Sequence, residues 1–206
     1  MSVELRPLIG KLNESTRSAL EAAAGLCLSR THYDVEIEHF LLKLMDATNA
    51  DLAAILKYFE IDRARLSAEL NRSLDKLKSG NARTPAFSPT LVRTLTEAWT
   101  IGSINYGARQ VRSGFAVLAL ASETELSRLM REVSREFQKI NRETLGEHFA
   151  DLTRDSVEIT EAALAPASGE AGGPIGGGKT PYLDQYTTDL TENARSGKVD
   201  PVLARD

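Results

Sequence analysis

Proline is missing from residue 8 to residue 84 and again from residue 90 to residue 165. Stretches that long, with no ring to break the i→i−4 ladder, restrict the chain to helices when apolar residues recur every three or four positions. They do recur here. The stripes are Leu20, Ala23, Ala24 and Cys27; Phe40, Leu41, Leu44 and Met45; Leu52, Ile55, Leu56 and Phe59; and Leu66, Leu70, Leu74 and Leu77. Asn13 is placed to cap the first of these helices. Ser88-Pro89 pairs a serine cap with proline at the first helical position, and opens a helix carrying Leu91, Leu95, Ala98 and Trp99. No segment alternates as a strand would. The expected fold is all-α.

The stripes repeat. A shift of 75 residues pairs Leu20 with Leu95, Ala23 with Ala98, Ala24 with Trp99, Phe40 with Phe115 and Leu42 with Val117. A shift of 74 then pairs Leu52 with Leu126, Ile55 with Leu129 and Leu56 with Met130, as if one loop residue had been lost. Two four-helix repeats, about 13–80 and 86–162, packed around a pseudo-two-fold axis account for this. Chance agreement between amphipathic helices is the alternative. Ahead of the repeats, Leu5, Leu8, Ile9 and Leu12 form a stripe on an extra N-terminal helix with no counterpart in the second half. That helix either packs on the domain or forms one wall of a groove for a partner helix.

Composition changes at Pro166. The run from there to Pro181 is mostly Gly, Pro, Ala and Ser and cannot fill a core, so residues 164–182 read as a flexible linker. Within it, Gly173 to Thr180 satisfies the phosphate-loop pattern G-x-x-x-x-G-K-[ST], with Lys179 as its lysine. A working phosphate loop needs a buried strand before it and a helix after it. Here the lead-in is Ala165-Pro-Ala-Ser-Gly-Glu-Ala-Gly-Gly, and Pro181 disfavours helix at Thr180. Lys179 is therefore read as a decoy, and no cofactor is expected in this chain.

Charge and composition exclude further classes. The 206 residues carry a net charge of −4, which argues against a nucleic-acid binder working through phosphate neutralisation. No run approaches the ~20 apolar residues of a membrane span, and Glu4 interrupts any signal-like start. Cys27 is the one cysteine, which fits a reducing, cytoplasmic setting and leaves no disulfide or Cys-based zinc site. His32, His39 and His148 show no metal-binding spacing, and His39 reads as a satisfied structural histidine at a helix start. Arg128, Arg131 and Arg135 are interleaved with Glu132 and Glu136, the pattern of a solvated helix face. No nucleophile–base pair is evident, so catalytic and metal residues are expected to be none.

The paired blocks Glu36-Ile-Glu-His-Phe-Leu-Leu-Lys-Leu44 and Val111-Arg-Ser-Gly-Phe-Ala-Val-Leu-Ala119, set in residues 13 to about 162, resemble the Clp N-terminal domain of Hsp100 AAA+ unfoldases. Residues Leu183 to Thr191 and Gly197 to Asp206 resemble the entry to the first AAA+ module, with Ala204 where that family usually has Gly. The division implied is 1–163 as Clp N domain, 164–182 as linker and 183–206 as a truncated module start. Leu5–Leu12, Lys11-Leu12-Asn13 and the Lys179-Thr180-Pro181 junction are similar to the branch of the family that serves bacterial type VI secretion.

That resemblance implies a job. In that branch a hexameric ATPase disassembles contracted sheath, and its N domain recognises an amphipathic N-terminal helix of the large sheath subunit. On this reading the chain is not itself an enzyme and is a monomer. ATP and magnesium belong to the full-length hexamer, whose first Walker A motif would lie beyond Asp206. The expected partner-helix groove lies between the Leu5–Leu12 segment and the Thr16–Leu28 helix, and comprises Leu8, Leu12, Thr16, Leu20, Ala23, Ala24 and Phe87. Leu20, Ala23 and Ala24 would equally serve as core. Two other readings stand beside it. One is the N domain of a general disaggregase or protease-coupled unfoldase. The other is a stand-alone phosphate-loop protein using Lys179.

Overall fold

A computed structural model of the chain describes residues 5–164. The phosphate-loop pattern with Lys179, the linker beyond Leu164 and the 183–206 segment lie outside the described residues. Helices α1 (Leu5–Ile9), α2 (Glu14–Ser29), α3 (Ile37–Leu44), α4 (Asp51–Tyr58) and α5 (Arg63–Leu74) come first. They are followed by α6 (Pro89–Tyr106), α7 (Ser113–Ser122), α8 (Thr124–Val133), a 3₁₀ helix (Arg135–Lys139), α9 (Arg142–Leu152) and α10 (Val157–Leu164). Helices α2–α5 and α6–α9 are the two repeats, the second with the 3₁₀ turn inserted.

The caps start the helices where expected. The Asn13 side chain accepts the Thr16 N–H at 3.0 Å, and the Ser88 hydroxyl accepts the Leu91 N–H at 3.2 Å. These two caps are 75 positions apart. The next pair, Glu36 for α3 and Arg112 for α7, is 76 apart, because the second repeat has one more residue between its first two caps. Phe115 thus takes the place of His39, and the pairings of Phe40 with Phe115 and Leu42 with Val117 are each one position out.

Two strands are present that the sequence reading did not foresee. β1 (Asp34–Val35) and β2 (Ala86–Phe87) pair in parallel, and Leu12 forms a parallel bridge with Val111. Two residues are too few to show alternation. The pairing is reciprocal. The residue before the first helix of each repeat pairs with the segment before the second helix of the other, which ties the halves together across the pseudo-two-fold.

Helix α7 is buried from Ser113 to Leu120 and has no polar face, as a central helix must be. Small residues let its neighbours close in. A Cβ on Gly114 would sit 2.7 Å from the Phe149 ring and 2.9 Å from Cβ of Asp51. Phe115 stacks on Phe149 with centroids 5.1 Å apart. Helix α3 plays the same part in the first repeat through Ile37, Phe40, Leu41 and Leu44. α4 packs on α7 and α9, and α5 on α8, so one core spans both repeats.

Candidate protein-docking site

α1 is a helix of five residues that packs against α6, with Leu8 buried on its inner side. The chain leaves the helix before Leu12, which is held by the bridge to Val111: the Val111 N–H donates to the Lys11 carbonyl at 2.7 Å, and the Asn13 N–H to the Val111 carbonyl at 3.0 Å. Lys11 lies over the Trp99 ring, 5.0 Å from its centroid. The extra segment is thereby fixed to the second repeat while its C-terminal end feeds α2.

The seven residues expected to line a groove fall into two groups. Leu12, Thr16, Leu20, Ala23 and Ala24 have no exposed surface. The small side chains on that face of α2 let α3 pack closely against it. Leu8 is nearly buried at 6%. Phe87 is half-buried on β2, packed on the core and held in place by the Ser88 N–H donating to the Val35 carbonyl at 3.2 Å. Of the seven, Phe87 presents the most surface. The Thr16 hydroxyl, though buried, has no hydrogen-bond partner.

The N-terminus of α2 is held by side chains that no sequence pattern marked. Glu161 of α10 accepts the Ser15 N–H at 3.1 Å, the Ser15 hydroxyl at 2.5 Å and the Asn13 amide at 2.8 Å. One turn earlier, Glu158 is wholly buried. It accepts the N–H of Ser113 at 2.7 Å and of Asp51 at 3.0 Å, the Asn13 amide at 3.0 Å, and the Ser113 hydroxyl. One carboxylate thus serves the first turns of α4 and α7 at once, where backbone N–H groups lack helical partners. Burial raises its pKa, and the neighbouring Asp51 adds to the rise. Asp51 in turn takes a two-pronged pair from Arg112, both distances 2.8 Å. The Arg112 guanidinium lies over Phe115 and Phe149. Hydropathy misleads here: Val157 and Ile159 are over a third exposed while Glu158 between them is buried.

The histidines form a second buried polar group. His39 Nδ1 accepts the Glu36 N–H at 3.0 Å, so its proton sits on Nε2, which donates to His32 Nδ1 at 2.9 Å. Burial, then the His32 and Arg30 charges, push the His39 pKa down to about 4. Cys27 is fully buried, its thiol directed at the Asp34 carbonyl at 3.2 Å, and burial pushes its pKa up to about 12. A thiol held protonated in this way is a packing group. Among the described residues no group of three or more His, Cys, Asp or Glu is arranged to hold a metal ion, and no helix is long and apolar enough to cross a membrane.

The sequence matches the family described as Clp repeat (R) N-terminal domain over residues 11–133. It is 35% identical to the AAA+ ATPase ClpV1 of Pseudomonas aeruginosa over 207 residues, covering 97% of this chain and 23% of that protein. The chain spans less than a quarter of the length of such relatives. Its fold superposes with a TM-score of 0.73, at 30% identity, on a chain from work on the coevolution of the ATPase ClpV, the TssB–TssC sheath and the accessory HsiE protein in type VI secretion; 76% of this chain and 97% of that one are covered. It superposes with a TM-score of 0.66, at 34% identity, on a ClpV N-domain in complex with a VipB peptide, covering 77% and 96%.

Proposed function

Since the chain belongs to the Clp repeat N-terminal domain family, we propose that it is the substrate-recognition domain of a type VI secretion AAA+ unfoldase. It binds the N-terminal helix of the large sheath subunit and so directs disassembly of contracted sheath. The observation that carries this reading is the likeness to a ClpV N-domain that holds a VipB peptide. The ATPase itself, with ATP and magnesium, belongs to the longer protein of which this is the recognition part. Residues 1–163 form the binding domain, 164–182 the linker, and 183–206 the start of the motor module.

The groove lies between the Leu5–Leu12 segment and the Thr16–Leu28 helix, with Phe87 near its rim. Leu8, Leu12, Thr16, Leu20, Ala23 and Ala24, all buried, shape it from behind. An amphipathic helix laid against such a surface buries apolar area at ~25 cal/mol per Å² before the costs of association, which suits a site of modest affinity strengthened by a hexamer. The test is titration with a peptide from the N-terminus of the cognate large sheath subunit. Phe87→Glu should weaken binding by roughly tenfold or more while leaving the helical melt largely intact. Leu12→Glu is a poor probe, because a charge at a fully buried position would unfold the domain. Equal affinity for unrelated unfolded chains would instead favour a general disaggregase or protease-coupled unfoldase. Tight Mg-ATP binding abolished by Lys179→Ala would favour the stand-alone nucleotide-binding reading.

A further inference from the structure

We propose that a cleft between the two repeats binds an acidic segment of another protein chain. The cleft measures about 450 Å³ and opens between α5 on one side and the junction of α8 with the 3₁₀ helix on the other. Arg72 and Lys76 reach it from the first repeat and Arg135 from the second; Leu129 and Val133 supply an apolar wall.

The charge pattern sets this cleft apart. Its acidic residues already have partners. Glu69 accepts from Arg65 at 3.3 Å and Glu132 pairs with Arg128 at 3.2 Å. Glu38 accepts the Ser73 hydroxyl at 2.8 Å and is only 7% exposed. Arg72, Lys76 and Arg135 are exposed, and among the described residues their side chains form no ion pair or hydrogen bond. Glu69 and Glu132 are each paired to an arginine outside the cleft lining, which leaves Glu38 as the one lining carboxylate without a cationic partner. A chain of net charge −4 thus gathers three cations without ionic partners of their own around one opening.

Like charges gathered around one opening repel, and the fold gains nothing from them. An incoming carboxylate would gain from all three. The apolar wall selects among anions: Leu129 and Val133 offer a bare inorganic ion nothing, whereas a peptide bearing glutamate and aliphatic side chains uses both features. This inference does not depend on the sheath-helix reading, which concerns other elements of the fold.

The test is fluorescence anisotropy of the full chain with a labelled peptide alternating Glu and Leu, set against its Gln-for-Glu counterpart and inorganic phosphate. The expected result is saturable binding at low ionic strength, weakened by salt and reduced roughly tenfold by Arg72→Glu and by Arg135→Glu. Arg109→Glu, at an exposed position in the loop between α6 and α7, should leave it unchanged. Should Arg72→Glu lower the thermal midpoint, Arg72→Gln serves for the same reading. No binding, equal binding of the Gln peptide, or binding indifferent to both cleft substitutions would overturn the proposal. Displacement of the peptide by about millimolar phosphate would also overturn it, by assigning the cleft to a small oxyanion.

Discussion

The Ser113 backbone N–H donates to the Glu158 carboxylate at 2.7 Å across 45 residues of sequence. This contact makes the last described helix part of the domain, although the family match ends at residue 133. The same carboxylate accepts from Asp51 and Asn13, so α10 fastens both repeats and the start of α2 in one place.

Glu158→Gln tests that role. All four of its contacts are donors to the carboxylate, and an amide has one accepting oxygen where the carboxylate has two. At least one buried N–H loses its acceptor and meets an NH₂ group instead, at a cost of about 2–3 kcal/mol. The expected outcome is a thermal midpoint lowered by roughly 5 °C or more in a domain of this size. An unchanged midpoint would mean that the side chain is protonated in the native state and that Gln replaces it without loss.

His39 makes stability depend on pH. Its folded pKa of about 4 lies below the usual 6.5, so the unfolded chain binds the proton more readily. The stabilisation from keeping the ring neutral is complete above pH 6.5 and is lost as pH falls toward 4. Protonation at Nδ1 would also remove the acceptor of the Glu36 N–H and break the start of α3. Circular-dichroism melts should show midpoints falling between pH 6.5 and 4, with a shallower fall in His39→Gln. Parallel slopes for both proteins would place the titrating group elsewhere.

Residues 114 and 146 are both helical glycines with opposite expectations. A Cβ on Gly114 would press into Phe149 and Asp51, whereas one on Gly146 meets nothing within 4 Å. Gly114→Ala should therefore cost about 1–3 kcal/mol through displaced aromatic packing. Gly146→Ala should gain about 0.5–1 kcal/mol from helix propensity. Urea midpoints of the two variants should lie on opposite sides of the parent; two shifts of the same sign would contradict the tight α7–α9 approach.

The helices and the duplication were legible because they rest on local rules: Asn13 and Ser88 as caps, proline at 89, and stripes at helical spacing. The register between repeats was legible only to one residue, since apolar stripes constrain a helix face and not a loop length. The fastening by Glu158 and Glu161 was not legible at all. Its partners lie up to 148 residues away, and its flanking Val157 and Ile159 are the exposed residues. The groove suffered from the opposite ambiguity: Leu20, Ala23 and Ala24 show the same pattern whether they face α3 or a visitor, and here they have no exposed surface.

Thr16 separates packing from docking at the α2 face. Its hydroxyl is buried without a partner, which costs about 1 kcal/mol relative to an apolar group of the same shape. Its backbone N–H is already satisfied by Asn13 and would remain so in a variant. Valine keeps the β-branched outline and has nearly the same helix propensity, so Thr16→Val should raise the thermal midpoint by about 2–4 °C. Because Thr16 has no surface for a partner to touch, affinity for the sheath-derived peptide should stay within about twofold. A lower midpoint would mean that the hydroxyl is satisfied in solution by a bound water. A higher midpoint with affinity lost more than tenfold would mean that the α2 face opens on binding and presents Thr16 to the partner, making this residue part of the contact surface.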